Sequence, residues 1–176
     1  MLLNVVRDPS DDARELRALF EKQLRELYWA EKTMLTTLAV IINNCFSKDL
    51  ILILENHSPE TTVHIERLEK IFAATGIPAE QEKYEALECF INEAKQLIRQ
   101  TKQGVVRDAG IISVLQKMKH YEIAAYGTMK AYAIALREED TVVLLENSLT
   151  EEKHIDMMLT KIAESHINIE AADKEI

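Results

Sequence analysis

Apolar residues recur at intervals of three or four positions along nearly the whole chain, which is the spacing of one face of an α-helix. Only 4 of the 176 residues are Gly and 3 are Pro, so few positions interrupt the pattern. No stretch alternates apolar and polar residues as a half-buried strand does, and no Asn-Gly pair marks a hairpin. The sequence therefore predicts an all-α protein.

The periodic segments predict four long helices and one shorter helix between the second and third of them. They span about residues 11–44, 48–75, 81–102, 108–137 and 140–166, and the chain after His166 is expected to fray. Ser10, Ser47 and Asp108 are candidate N-caps, and Gly76 with Pro78 ends the second long helix.

The lengths of the connections predict how these helices pair. The first two long helices are joined by a short turn, as are the last two, so each pair is expected to form an antiparallel hairpin. The connection between the hairpins is about 30 residues with its own helix, long enough to cross a bundle. We therefore predict one ferritin-like four-helix domain over residues 1–176.

Charge and composition exclude several classes of function. The net charge is −9 and no Lys/Arg block is present, which argues against nucleic-acid binding. No segment approaches the roughly 20 apolar residues that span a bilayer, and the first residues do not form a signal peptide. Cys45 and Cys89 lack metal-type spacing and are interpreted as free cytosolic thiols. The sequence thus predicts a cytoplasmic globular protein.

Acidic residues interrupt the apolar faces at similar depth in all four long helices. The inward acids are Glu31 in the first, Glu60 in the second beside His57, Thr61 and His64, Glu122 in the third, and Glu152 with Asp156 in the fourth. Glu31 and Glu60 lie about 15 positions from the first turn, as do Glu122 and Glu152 from the second. At 1.5 Å per residue, each pair lies roughly 22 Å from its turn.

Four unpartnered buried carboxylates would be strongly destabilising, whereas two divalent cations would neutralise them. Alternatively, these acids lie at the edges of the apolar faces and reach solvent, or pair with Lys32, Lys119 or Arg67.

Pro59 leaves the structure of the second helix open. "SPET" can begin a helix, but "KDLILILENH" before it is itself helix-like, so a continuous helix kinked at Pro59 is favoured. Glu60 and His64 would then share a face. His57 is either a hydrogen-bonding partner of the ligands or an ordinary core histidine.

Four segments carry a resemblance to a known group. "ELYWAEK", "ETTVHIERLE", "KHYEIAAYGTM" and "LTEEKHIDMMLTKIAE" are similar to segments of the YciE/YciF group of ferritin-like proteins, over about residues 12–167. The resemblance implies a rubrerythrin-like bundle, often a dimer, associated with bacterial stress responses. It also implies a di-iron or di-manganese centre.

Carried over by position, the resemblance implies six metal ligands, with one acid on each of two helices and a pair on each of the others: Glu31, Glu122, Glu60 with His64, and Glu152 with Asp156. The pairs are spaced i,i+4 rather than i,i+3, and Asp156 stands where a second histidine is expected. Glu151 and His154 have the i,i+3 spacing and rank second. This oxygen-rich set suits manganese or iron better than zinc or copper.

Three further residues lie close to the candidate ligands in the sequence. Tyr28 and Tyr126 lie one turn from Glu31 and Glu122, where they either hydrogen-bond those carboxylates or fill the core. His120 is assigned to helix packing or an interface.

The leading hypothesis is a di-metal protein that reacts with peroxide or O₂, with an electron-donor protein where one is needed. The alternative is a non-catalytic stress-response binding or assembly module with no metal or a purely structural one. A homodimer is expected through exposed apolar positions of the crossover helix, and mini-ferritin storage is a weaker third possibility.

Overall fold

The prediction of an all-α ferritin-like bundle is confirmed. The structure, a computed structural model, describes residues 15–173, and no strand occurs within that range. Its helices are α1 (Leu16–Ile42), α2 (Lys48–Thr75), α3 (Glu85–Gln100), α4 (Val105–Leu136) and α5 (Glu139–Ile162), followed by a π-helical turn (Ala163–Ile167) and α6 (Asn168–Asp173).

The helices pair as their connections predict. Helix α1 packs along α2 and α4 along α5, while α2 contacts α5 and α1 contacts α4 to close the bundle. Helix α3 lies in the crossover and packs mainly on α4. None of the helices between residues 15 and 173 is long and apolar enough to cross a membrane.

The second helix is continuous through Pro59. Ser47 caps its start by accepting a hydrogen bond from the Leu50 N–H at 3.4 Å, and Gly76 ends it with a φ of 70°. Proline removes the N–H that would bond to the carbonyl of Glu55. Both Pro59 and Glu55 lie on the exposed side of α2, where water can satisfy that carbonyl.

Two expectations about helix ends are corrected. Asp108 does not cap its own helix, because α4 begins at Val105. Its carboxylate instead accepts hydrogen bonds from the backbone N–H groups of Phe46 (3.0 Å) and Ser47 (2.7 Å), at the start of α2. Residues 167–173 are helical rather than frayed, since α6 continues to Asp173. The proposed cap Ser10 lies outside the described residues.

A polar layer divides the core of the bundle into two apolar clusters. The layer consists of buried polar side chains contributed by all four bundle helices: Glu31, His57, Thr61, His64, Lys119, Glu122 and Glu152. On the side of the α1–α2 turn lies a cluster that includes Met34, Leu54, Met118 and Ile155. On the side of the α4–α5 turn lies a second, which includes Leu27, Leu68, Tyr126 and Leu149.

Candidate metal centre

Three side chains of the polar layer form a compact group of potential metal ligands. Glu31 of α1, His64 of α2 and Glu152 of α5 are each fully buried, and one ligand atom from each lies within 4.8 Å of the others. The His64 Nδ1 atom lies 3.1 Å from Glu31 Oε1 and 3.2 Å from Glu152 Oε1. This spacing is compatible with three ligands around one divalent cation, whose bonds to nitrogen and oxygen are about 2.0–2.2 Å long.

The buried carboxylates retain acceptor capacity that the protein does not use. Glu31 Oε2 has no hydrogen-bond partner, whereas the oxygens of Glu122 and Glu152 lie beside Lys119 without a well-directed hydrogen bond. Buried polar atoms are almost always partnered, so the unpartnered Oε2 atom of Glu31, within the group of potential ligands, favours a cation at this position. The donor set of carboxylates and one imidazole therefore fits iron or manganese.

Helix α2 contributes histidines to the layer rather than a carboxylate. Its buried positions at this level are His57, Thr61 and His64, which continue the face of Leu54 and Leu68. Glu60 is one residue from Thr61, a rotation of about 100° around the helix, and its side chain is 42% exposed. The structure therefore does not bring Glu60 into the group, although its Oε2 atom contacts His57 Nδ1 at 2.9 Å.

An ammonium group lies beside the three potential ligands. The Lys119 side chain is 1% exposed, and its Nζ atom lies 2.6 Å from Glu122 Oε2 and 2.9 Å from Glu152 Oε2. The same Nζ atom lies 2.9 Å from His57 Nε2. Lys119 thus provides the internal counter-charge for two buried carboxylates, and Glu122 reaches the layer as the partner of a lysine.

The pKa values of the two carboxylates beside Lys119, Glu122 and Glu152, are shifted in opposite directions. Burial and the negative charge of Glu152 raise the pKa of Glu122 well above its ordinary value, although Lys119 opposes the shift. Burial acts in the same direction on Glu152, but Lys119 and the hydrogen bond from His64 outweigh it and lower its pKa to about 2. Glu152 is therefore the more firmly ionised of the two.

The pKa values of the two buried histidines, His57 and His64, are shifted in opposite directions. Burial and the charge of Lys119 lower the pKa of His57. Burial also disfavours the charged form of His64, but the adjacent carboxylates Glu31 and Glu152 overcome it and raise its pKa to about 11. His57 is therefore the neutral imidazole next to Lys119, and His64 is a cation among carboxylates.

A contact of the second ring nitrogen, Nε2, with Glu151 fixes the orientation of the His64 ring. Its Nε2 atom lies 2.8 Å from Glu151 Oε2, and the guanidinium of Arg67 donates to both oxygens of that carboxylate, at 2.5 and 2.9 Å. An Nε2–H bond to Glu151 directs Nδ1 at Glu31 and Glu152, as expected for a metal-binding histidine. The alternative pair of Glu151 and His154 is not assembled, because His154 is exposed.

Tyr28 and Tyr126, the two tyrosines near the predicted ligands, donate hydrogen bonds to different carboxylates. The Tyr126 hydroxyl is buried and donates to Glu31 Oε1 at 2.5 Å. The Tyr28 hydroxyl instead donates to Glu69 at 2.6 Å, outside the layer. Of the two, Tyr126 therefore contacts a candidate ligand.

Asp156 lies outside the group of potential ligands. Its side chain is 20% exposed, and it contacts His120 Nε2 at 3.1 Å and Gln116 at 3.3 Å. The buried position at this level of α5 is Ile155, one residue earlier. His120, assigned to packing by the sequence, thus pairs with Asp156 on the surface of the bundle.

Sequence reasoning did not place Lys119 inside the layer. It named Lys119 as one of three possible partners of the inward acids, and the structure shows this pairing for Glu122 and Glu152. The available signal was its position directly after Met118 and three before Glu122, which puts its stem beside the buried face of α4.

The fold and the buried carboxylate–histidine group define a ferritin-like protein with a candidate metal centre. The chain belongs to the family described as "Domain of unknown function (DUF892)", whose model matches residues 15–172. Protein YciF of Escherichia coli (strain K12) is 33% identical over 162 residues, which cover 92% of this chain and 98% of YciF.

Solved structures agree with this assignment. The crystal structure of the E. coli stress protein YciF has a TM-score of 0.84 at 33% identity and covers 88% of this chain and 98% of its own. YcfI from Rhodopseudomonas palustris has a TM-score of 0.83, also at 33% identity, and covers 86% and 96%. A protein from Xanthomonas campestris pv. campestris is 18% identical with a TM-score of 0.75, and it shares the fold.

Proposed function

We propose that this chain is a bacterial stress-response protein that binds iron or manganese at Glu31, His64 and Glu152 and reacts with peroxide or O₂. The observation that carries the proposal is the buried group of three ligand atoms within 4.8 Å of one another. The relationship to the E. coli stress protein YciF supports the stress-response assignment. A bound redox-active metal would supply the electron transfer to the oxidant.

The residues of the chain would hold and orient the metal in this proposal. Glu31 and Glu152 would offer carboxylate oxygens, and His64 would offer Nδ1 after releasing the proton that this atom carries in the metal-free protein, while its Nε2–H stays bonded to Glu151. Tyr126 orients Glu31 through its hydroxyl. The apolar clusters on either side exclude bulk water, which strengthens each of these electrostatic interactions.

The sequence led us to expect two metals held by six ligands, whereas the proposal has one metal held by three. Glu60 and Asp156 make their contacts with His57 and with Gln116 and His120 respectively. The geometry supports one metal position best.

The test is the metal content of untagged protein purified without added metal, measured for the wild type and for matched carboxamide variants. We expect about one Fe or Mn per chain in the wild type and its loss in Glu31→Gln and Glu152→Gln. We expect its retention in Glu60→Gln and Asp156→Asn, because neither carboxylate lies in the group.

Peroxide consumption by the loaded wild type is the second measurement. Turnover that disappears in Glu152→Gln and persists in Glu60→Gln would support the oxidant chemistry. Metal loss in all four variants would instead favour the six-ligand set.

A non-catalytic binding or assembly module is the second candidate function, and one observation favours it. Lys119 and the protonated His64 place two positive charges among the buried carboxylates, so the layer is largely neutralised by the protein itself. A folded wild type without metal and without peroxide turnover would support this module and refute the metal proposal.

A further inference from the structure

The contacts of Lys119 repeat the pattern of the candidate metal site. Glu31, Glu152 and His64 form one group of two carboxylates and an imidazole. Glu122, Glu152 and His57 form another around the Lys119 Nζ atom, at 2.6, 2.9 and 2.9 Å.

Glu152 is shared by the two groups. Its Oε1 atom faces His64 at 3.2 Å and its Oε2 atom faces Lys119 at 2.9 Å. A carboxylate in this position can bridge two cations, one on each oxygen. The second cation position of the layer is thus already filled by an ammonium group.

The ammonium is held by ion pairs with Glu122 and Glu152 and lies within hydrogen-bond distance of His57 Nε2. Both oxygens of Glu122 and of Glu152 lack a directed hydrogen bond although Nζ is within ion-pair distance. The ammonium of Lys119 is a compact positive charge beside these carboxylates, and a metal ion would also supply positive charge there.

We propose that Lys119 occupies the second metal position of the bundle and limits this chain to one metal ion. The inference rests on the proposed function for the first position only. It assigns to the second position the ligands Glu122, His57 and the shared Glu152, which would accept a divalent cation once the ammonium is removed.

Formal charge supports one metal rather than two. When all three carboxylates are ionised, Glu31, Glu122 and Glu152 have a formal charge of −3, which the ammonium of Lys119 reduces to −2. One divalent cation beside a neutral His64 brings the layer to zero. A second divalent cation beside Lys119 would leave two uncompensated positive charges in a buried layer, which is strongly unfavourable.

The test is the number of Mn²⁺ ions bound per chain, measured by equilibrium dialysis with elemental analysis. We expect one for the wild type and two for Lys119→Ala, in which the shortened side chain leaves both the charge and the space to the metal. Lys117→Ala, at an exposed lysine paired with Glu93, is the matched control and should bind one. Adding Glu122→Gln to Lys119→Ala should return the number to one.

The outcomes separate this inference from the proposed function. One Mn²⁺ in both the wild type and Lys119→Ala would overturn the inference and leave the proposed function standing. No Mn²⁺ in the wild type with one in Lys119→Ala, lost again on Glu122→Gln, would refute the proposed function and support the inference. Two in the wild type would overturn the inference, and none in either protein would overturn both.

A variant with the lysine intact tests the same inference if Lys119→Ala does not fold. In Glu122→Gln the first group keeps Glu31, His64 and Glu152, so one Mn²⁺ per chain should still bind. Loss of that ion would mean that Glu122 holds metal in the wild type, which contradicts the assignment of Glu122 to Lys119. Circular dichroism of each variant verifies that it is folded.

Discussion

Asp108 connects α4 to the start of α2, and replacing it with Ala should destabilise the protein substantially. The carboxylate is fully buried and accepts from two backbone N–H groups, those of Phe46 and Ser47. Hydrogen bonds to a charged group contribute about 1.5–3 kcal/mol each. Taking the lower limit for each of the two bonds, we expect a loss of about 3 kcal/mol.

The assay is urea unfolding and thermal melting followed by far-ultraviolet circular dichroism, with a chelator present to remove metal. For a chain of this size, about 3 kcal/mol corresponds to a decrease of roughly 6–12 °C in Tm. Asp49→Ala is the matched control, since Asp49 lies in the first turn of α2 but is exposed. Its loss should stay below about 1 kcal/mol, the usual limit for an exposed charge at a helix end.

Equal losses in Asp108→Ala and Asp49→Ala would refute the reasoning. They would mean that Asp108 stabilises α2 only through its charge near the helix end and that the two hydrogen bonds contribute nothing measurable.

Three further predictions concern Tyr126 and the two thiols. Tyr126→Phe removes the hydrogen bond to Glu31 and should weaken Mn²⁺ binding by about 10–100-fold, whereas Tyr28→Phe should leave it unchanged. Equal affinities of the two variants in a calorimetric titration would contradict this. Cys89 is exposed and should be alkylated in the folded protein, while Cys45, which is 3% exposed, should react only after unfolding. Mass spectrometry that finds label on Cys45 before unfolding would disprove the assignment. Burial raises the pKa of the Cys45 thiol to about 12, so between pH 9 and 12 the folded state keeps a proton that the unfolded state loses. The free energy of unfolding should therefore fall with rising pH by up to about 1.4 kcal/mol per unit more steeply than in Cys45→Ala, and parallel pH profiles would refute this.

The sequence predicted the fold because the evidence for it is repeated in every helix. Each long helix shows the same apolar period, and the lengths of the connections alone determine which helices form hairpins. The inward positions of Glu31, Glu122 and Glu152 could also be predicted, since each interrupts an otherwise apolar face.

The sequence named His64 on α2 and Glu152 on α5, which lie in the group, but it also named Glu60 and Asp156, which do not, because neighbouring residues compete for the same face. On α2 a choice between Glu60 and Thr61 changes the direction of the side chain by about 100°, and Pro59 obscures the phase of the pattern there. On α5 the same ambiguity separates Asp156 from Ile155. Periodicity indicates a face to within about one residue, whereas a metal site requires the residue itself.

The periodicity of the sequence contains no information about contacts between side chains that are distant along the chain. Lys119 has a long flexible stem that reaches either solvent or the interior, and its partners lie on α2 and α5 as well as on α4. Asp108 has the side chain and position of an ordinary helix cap, but it caps a different helix. Only the packed arrangement of the helices decides such cases.

Because the polar layer lies between the two apolar clusters, substitutions in one cluster should affect stability additively with substitutions in the other. Met34 and Ile155 lie in one cluster, and Leu27 and Leu149 lie in the other. Since the effects of substitutions at residues that share no contacts are additive, each end can exchange its apolar residues without compensating changes at the other. The residues of the layer have neighbours on both sides. They are therefore the part of the interior where a single replacement affects both halves of the protein at once.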